Sequence, residues 1–172
     1  GGRYAYNQQP QVGLWNLGRF VQAILPLLAE EPDDAVRIGQ DMLQSYRGEY
    51  DAAYMRRMRA KLGLARAKDD DRQLVESLFK VMAADGADFT RTFRGLCHVG
   101  DVAGDNDNAF IDEFVDVETA RQWLVDWRAR LADETDDETT RQAGMRGVNP
   151  KYILRNYLAQ QAIEQAQSGD YS

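Results

Sequence analysis

One cysteine and one histidine are all that 172 residues offer to thiol and imidazole chemistry. With Cys97 alone, no intrachain disulfide can form and an ordinary cysteine zinc site is excluded. That scarcity fits a reducing compartment, and the expected location is the cytoplasm. His98 is the only residue around which a Ser-His-Asp triad could be built, and it follows Cys97 directly instead of facing a nucleophile-elbow serine. No apolar run approaches the ~18 to 20 residues of a membrane span, and the first residues lack the basic flank and apolar stretch of a signal peptide. Basic side chains are outnumbered, 21 against 28, and the net charge of −7 repels a phosphate backbone, so neither nucleic acid nor membrane is an expected partner. Walker-type loops, glycine-rich phosphate fingerprints and His-Glu-x-x-His are missing too.

What is present is helical periodicity. Pro10 suits the first turn of a helix carrying Val12, Trp15, Val21, Ile24, Leu25 and Leu28, which Pro26 should kink or end. Pro32 restarts a long helix whose stripe of Val36, Leu43, Tyr46, Tyr50, Met58 and Leu62 runs to Gly63, a natural helix stop. Asp69, Asp70 and Asp71 open a third helix with Leu74, Leu78, Phe79 and Met82 on its buried face. Asp88 caps a fourth, with Phe89, Phe93 and Leu96 inward and Arg91 and Arg94 on another face. Gly, Asp and Asn dominate 99–109, which reads as an internal loop. A helix with Trp123, Leu124, Trp127 and Leu131 follows Asp116; Thr135 to Glu138 has a capping-box pattern; Asn149-Pro150 opens a last helix bearing Ile153, Tyr157, Ala162 and Ile163. No stretch alternates like a strand. The expectation is an all-α fold of about seven helices in an irregular helical domain, one domain over 1–172 with a polar lead-in at 1–10.

Candidate chemistry is thin. Asp101, Asp105, Asp107, Asp112 and Glu113 cluster like calcium ligands, yet counting from Asp105 places Phe110 where the loop needs glycine and Asp116 where it needs a bidentate Glu. A solvated acidic loop is the simpler reading, and no metal ligand is assigned. Cys97 reads as a small buried residue, Arg91 and Arg94 as partners of nearby acidic groups, and Trp15, Trp123 and Trp127 as core aromatics. No catalytic, cofactor-binding or metal residue is assigned in this chain.

Three stretches carry a resemblance. Gly2-Arg3-Tyr4-Ala5-Tyr6 with Gln9-Pro10, Trp15-Asn16-Leu17 and Arg19 resembles the segment just after the kinase-like active site of the selenoprotein O family of protein adenylyltransferases, also called YdiU. Phe89-Thr90-Arg91-Thr92-Phe93-Arg94 resembles a second family stretch, and Asn149 to Glu164 a third. The resemblance implies a parent enzyme about three times longer, with a pseudokinase-like fold that binds ATP and magnesium and passes AMP to a Ser, Thr or Tyr hydroxyl. It also implies that the family's ATP and metal residues precede Gly2 and that its redox-active cysteine or selenocysteine lies beyond Ser172. Arg3, Tyr4, Trp15 and Asn16 are then supports of the active-site lobe.

The chain lacks an initiating Met and is read as the helical C-terminal part of a larger protein, inactive alone, with the N-terminal catalytic lobe of the same protein and its protein substrates as partners. The alternative is a stand-alone helical protein-protein interaction module.

Overall fold

The computed structural model describes residues 8–171. Every regular element among them is helical, so the all-α expectation holds, with eight α-helices where about seven were expected. Arg3 and Tyr4 lie outside the described residues. The chain divides into two compact units, Gly1–Arg57 and Met58–Ser172.

The first unit contains α1 (Gln9–Leu28) and most of α2 (Pro32–Leu62). Pro10 sits in the first turn of α1 as expected, but Pro26 lies inside the helix, which runs on to Leu28. So close to the end, the ring costs the helix little, because few further bonds depend on the turn it disturbs. The two helices pack antiparallel. A Cβ on Gly39 of α2 would lie 2.7 Å from Val21 Cγ1 and 3.3 Å from Leu25 Cδ2 of α1, so bare backbone permits the approach. The Tyr46 hydroxyl donates to the Pro10 carbonyl at 3.4 Å. Val36 and Tyr50, two members of the expected apolar stripe, are nevertheless exposed.

In the second unit the last turn of α2 carries Arg59 and Lys61, and Gly63 ends it at φ +73, a left-handed turn that glycine adopts without strain. Then come α3 (Asp71–Asp85), α4 (Phe89–Leu96), a 3-10 turn (Asp105–Asp107), α5 (Asn108–Ile111), α6 (Val117–Leu131), α7 (Glu138–Val148) and α8 (Asn156–Gln167). The stretch 99–109 is therefore a loop only to Gly104; its Asp and Asn residues start short helical turns. The core gathers Leu62, Leu78, Phe93, Leu96, Phe110 and Trp127, all with essentially no exposure. Trp127 donates from its indole to the Leu62 carbonyl at 2.9 Å, and Trp123 to the Leu74 carbonyl at 3.2 Å, so each aromatic also satisfies a main-chain acceptor. Phe93 and Leu96 face inward as expected, whereas Phe89 is 45% exposed and stacks at the rim against Phe79. Gly95 of α4 passes so near α5 that a Cβ would fall 2.1 Å from the Ala109 carbonyl oxygen.

Three helix starts are carboxylate caps. Asp88 accepts from the Arg91 amide at 2.9 Å, Asp116 from the Thr119 amide at 3.1 Å, and Asp137 from the Thr140 amide at 2.8 Å. The cap before α7 is thus Asp137 and not Thr135, the first residue of the expected capping box, because Glu138 already begins the helix. The last helix begins at Asn156, several residues beyond Asn149-Pro150.

A buried ionic cluster ties α3 to α6. Asp71, with no exposure, receives Arg130 Nε at 2.7 Å and lies 3.8 Å from Arg59 Nη1. Arg130 also donates to Glu134 Oε1 and to the Arg66 carbonyl, both at 2.7 Å, and the Lys68 amide donates to Asp71 at 2.9 Å.

Two predictions follow from this framework. Taking one member out of a dry ionic cluster leaves the others undercompensated, so Asp71→Ala should lower the unfolding free energy by about 3 kcal/mol or more, and Arg130→Met, which deprives both Asp71 and Glu134 of their guanidinium, should lower it at least as much. Urea denaturation of both variants measures it; a loss below about 1 kcal/mol would contradict the reading. The second concerns acid. Asp116 is held below the usual carboxylate range by its bond from the Thr119 hydroxyl and then the amide, and Asp137 by the Thr140 amide and then its hydroxyl. Groups whose folded pKa is depressed contribute fully above the unfolded value near ~4 and lose that contribution as pH falls through the folded value. The urea midpoint should therefore decline below about pH 4, and less steeply in an Asp116→Asn, Asp137→Asn double variant, whose amides still cap.

Candidate functional site

The sequence-selected residues that the structure describes, Trp15 and Asn16, lie on α1 within the first unit. Trp15, expected as a core aromatic, has half of its surface exposed. It lines a groove of about 420 Å³ between α1 and α2, with Val21, Leu25, Val36, Gly39 and Leu43 as the apolar floor and walls. The Arg19 guanidinium stands 5.3 Å from the centre of the Trp15 ring and donates to Gln22 Oε1 at 2.9 Å. Asn16 is exposed and does not line the groove, since adjacent helical positions point about 100° apart. Such a groove can hold apolar side chains at an arginine-rimmed mouth. It brings together no nucleophile and base.

The second unit shows where the polar residues went. Arg128 grips Asp107 with two nitrogens, at 2.6 and 3.1 Å, and donates to the Gly100 carbonyl at 3.0 Å. Arg141, itself buried, donates to Asp101 at 2.6 Å and lays its guanidinium 5.0 Å from the centre of the Trp127 ring. Glu138 accepts from the Asp101 amide at 2.8 Å. The loop expected to be solvated and acidic is therefore stitched down by arginines, with Asp107 buried and Asp105 and Asp112 exposed. Among the described residues no group of three His, Cys, Asp or Glu side chains could hold a metal ion.

Cys97 is buried as expected. Its thiol lies 3.3 Å from the Phe93 carbonyl and accepts from Asn149 Nδ2 at 3.4 Å. Burial pushes its pKa up, which keeps it in the poorly nucleophilic thiol form. His98 beside it is exposed; partial desolvation, with Arg94 and Arg146 adding repulsion, holds its imidazole below the usual range. Neither forms a catalytic pair.

Asn149 is the junction that sequence reasoning missed. It is fully buried, donates to the Lys61 carbonyl at 2.9 Å, accepts from Lys61 Nζ at 3.1 Å, and its carbonyl accepts from Arg94 at 3.0 Å. Lys61 Nζ also sits 5.5 Å from the ring centres of Phe89 and Phe93. Desolvation lowers its pKa. Of the two paired arginines, Arg91 does meet an acidic partner, Glu113 at 2.8 Å, but Arg94 serves main-chain carbonyls instead.

Comparison with known proteins gives this helical array its relations. The family model described as Protein adenylyltransferase SelO matches residues 1–172. A protein nucleotidyltransferase YdiU of Rhizobium etli is 44% identical over 173 residues, covering 99% of this chain and 34% of that protein. Another of the same name in Myxococcus xanthus is 44% identical over 171 residues, with the same two shares, and one in Paraburkholderia xenovorans is 43% identical over 177. The chain spans about a third of the length of these curated relatives. With a match that runs from its first residue to its last, the chain belongs to the SelO family of protein adenylyltransferases.

Proposed function

We propose that this chain is the helical C-terminal part of a protein adenylyltransferase, which transfers AMP from ATP to Ser, Thr or Tyr hydroxyls of proteins, and that ATP and magnesium are held by residues outside these 172. The observation that carries the reading is the family match over residues 1–172. Relatives of about three times this length, named protein nucleotidyltransferases, support it.

Adenylyl transfer needs cationic groups on the transferring phosphate and a carboxylate that orients the acceptor hydroxyl. Asp71, Asp101 and Asp107 do not fit a magnesium site, being already engaged by Arg130, Arg141 and Arg128, and no three described His, Cys, Asp or Glu side chains are grouped to hold a metal ion. No step is assigned to them. The contribution of this chain is instead to complete and brace the catalytic lobe of the same protein, with Trp15 and Asn16, and Arg3 and Tyr4 upstream of them, as supports of that lobe. The groove beneath Trp15 suits this role, since it offers apolar surface for a neighbouring lobe to cover.

The alternative is a stand-alone helical interaction module, favoured by the exposure of Phe20, Leu27, Tyr152 and Leu154. An upstream reading frame with ATP and metal residues distinguishes the enzyme from the module. Incubated with magnesium, a test protein and ATP labelled at the α-phosphate, the isolated 172 residues should transfer no label, and the longer protein should transfer it. Label at the γ-phosphate should not move. Transfer by the isolated chain, or γ-label on the acceptor, would overturn the proposal.

A further inference from the structure

Beyond the buried Asn149 the chain leaves the core: residues 150–154 all have exposed side chains. Helix α8 follows, and none of its residues is buried. A twelve-residue helix is marginal in water without tertiary support, and among the described residues no buried side chain of α8 supplies it.

A polar fastening stands at its start. Arg155 Nη1 meets Asp88 Oδ2 at 2.8 Å, with about a third of each side chain exposed. The other oxygen of the same carboxylate, Asp88 Oδ1, caps α4 by accepting from the Arg91 amide. One carboxylate therefore serves two helices, holding the first residues of α4 with one oxygen and the residue before α8 with the other.

We infer that residues 150–167 form a strap, hinged at 150–154 and fastened to the start of α4 by the Arg155–Asp88 pair, so that α8 detaches as a unit when that pair opens. Partial exposure lets water and salt compete with the pair, which makes ionic strength the lever. Mild acid is a poor lever, because Arg155 first and the Arg91 amide second hold the Asp88 carboxyl below the usual range.

Hydrogen exchange of the full-length protein, followed in peptides covering residues 156–167, tests it. Raising salt from about 0.05 to about 0.5 M should speed exchange there about two- to fivefold. Asp88→Asn, which keeps a capping side chain, and Arg155→Gln, which leaves the cap untouched, should both exchange at the fast rate at either salt, and Arg155→Lys should stay near the wild type. Equal exchange in wild type, Asp88→Asn and Arg155→Gln at both salts would overturn the strap, as would a change that appears in Asp88→Asn alone and spreads through α4.

Discussion

Asp71 and Arg130 meet where water does not reach, and the second unit is arranged around keeping them satisfied. A buried carboxylate and guanidinium are costly to desolvate, so such a pair persists only when the remaining donors and acceptors are also met. Here Glu134, just past α6, and the Arg66 carbonyl and Lys68 amide of the connection before α3 meet them. The requirement sets the register of α3 against α6 and draws in the connection after Gly63. The two tryptophans of α6 then fall against the Leu62 and Leu74 carbonyls, and the apolar core closes over them.

The same device recurs along α6 and α7 with loop residues in place of helices. Arg128 and Arg141 reach back to Asp107, Asp101 and the carbonyls around Gly100, so an irregular stretch gains the hydrogen bonds that it cannot make with itself. Asn149 does the same at the end of α7: its side-chain amide donates to the Lys61 carbonyl and its main-chain carbonyl accepts from Arg94, joining the ends of α2 and α4. The unit is organised by polar side chains that end on carboxylates and main-chain oxygens of other segments, and apolar contact fills the space between.

Much of this architecture was legible in the sequence, and the illegible part has a common cause. Helix starts at Pro32, Asp88 and Asp116 and the stop at Gly63 are local signals, set by neighbours within one turn, and they were read correctly. Burial is a tertiary property, and there the expectations fail in both directions: Trp15 and Phe89, expected in the core, are exposed, and Asp107, expected in a solvated loop, is buried, as are Asp71 and Arg141, for which the sequence supports no expectation of burial. A signal for a further buried charge, Arg130, was available. Arg130 stands seven residues after Trp123 and three after Trp127, on the face those tryptophans turn inward, so its spacing alone marked it as a charged residue bound for the core. Asn149 offered no such clue, because its partners are 88 and 52 residues away. The family was legible from short motifs; the groove beneath Trp15 was not, since it exists only when Gly39 lets two helices touch.

Gly95 shows what such close approaches mean for the history of a sequence. With a carbonyl oxygen 2.1 Å from where a Cβ would sit, no other amino acid fits without moving α4 away from α5. The position behaves as a spacer of zero width, and a side chain there in a related protein would be a sign that the whole corner had been rebuilt. A single letter of the sequence can thus serve as a caliper for a distance between two helices.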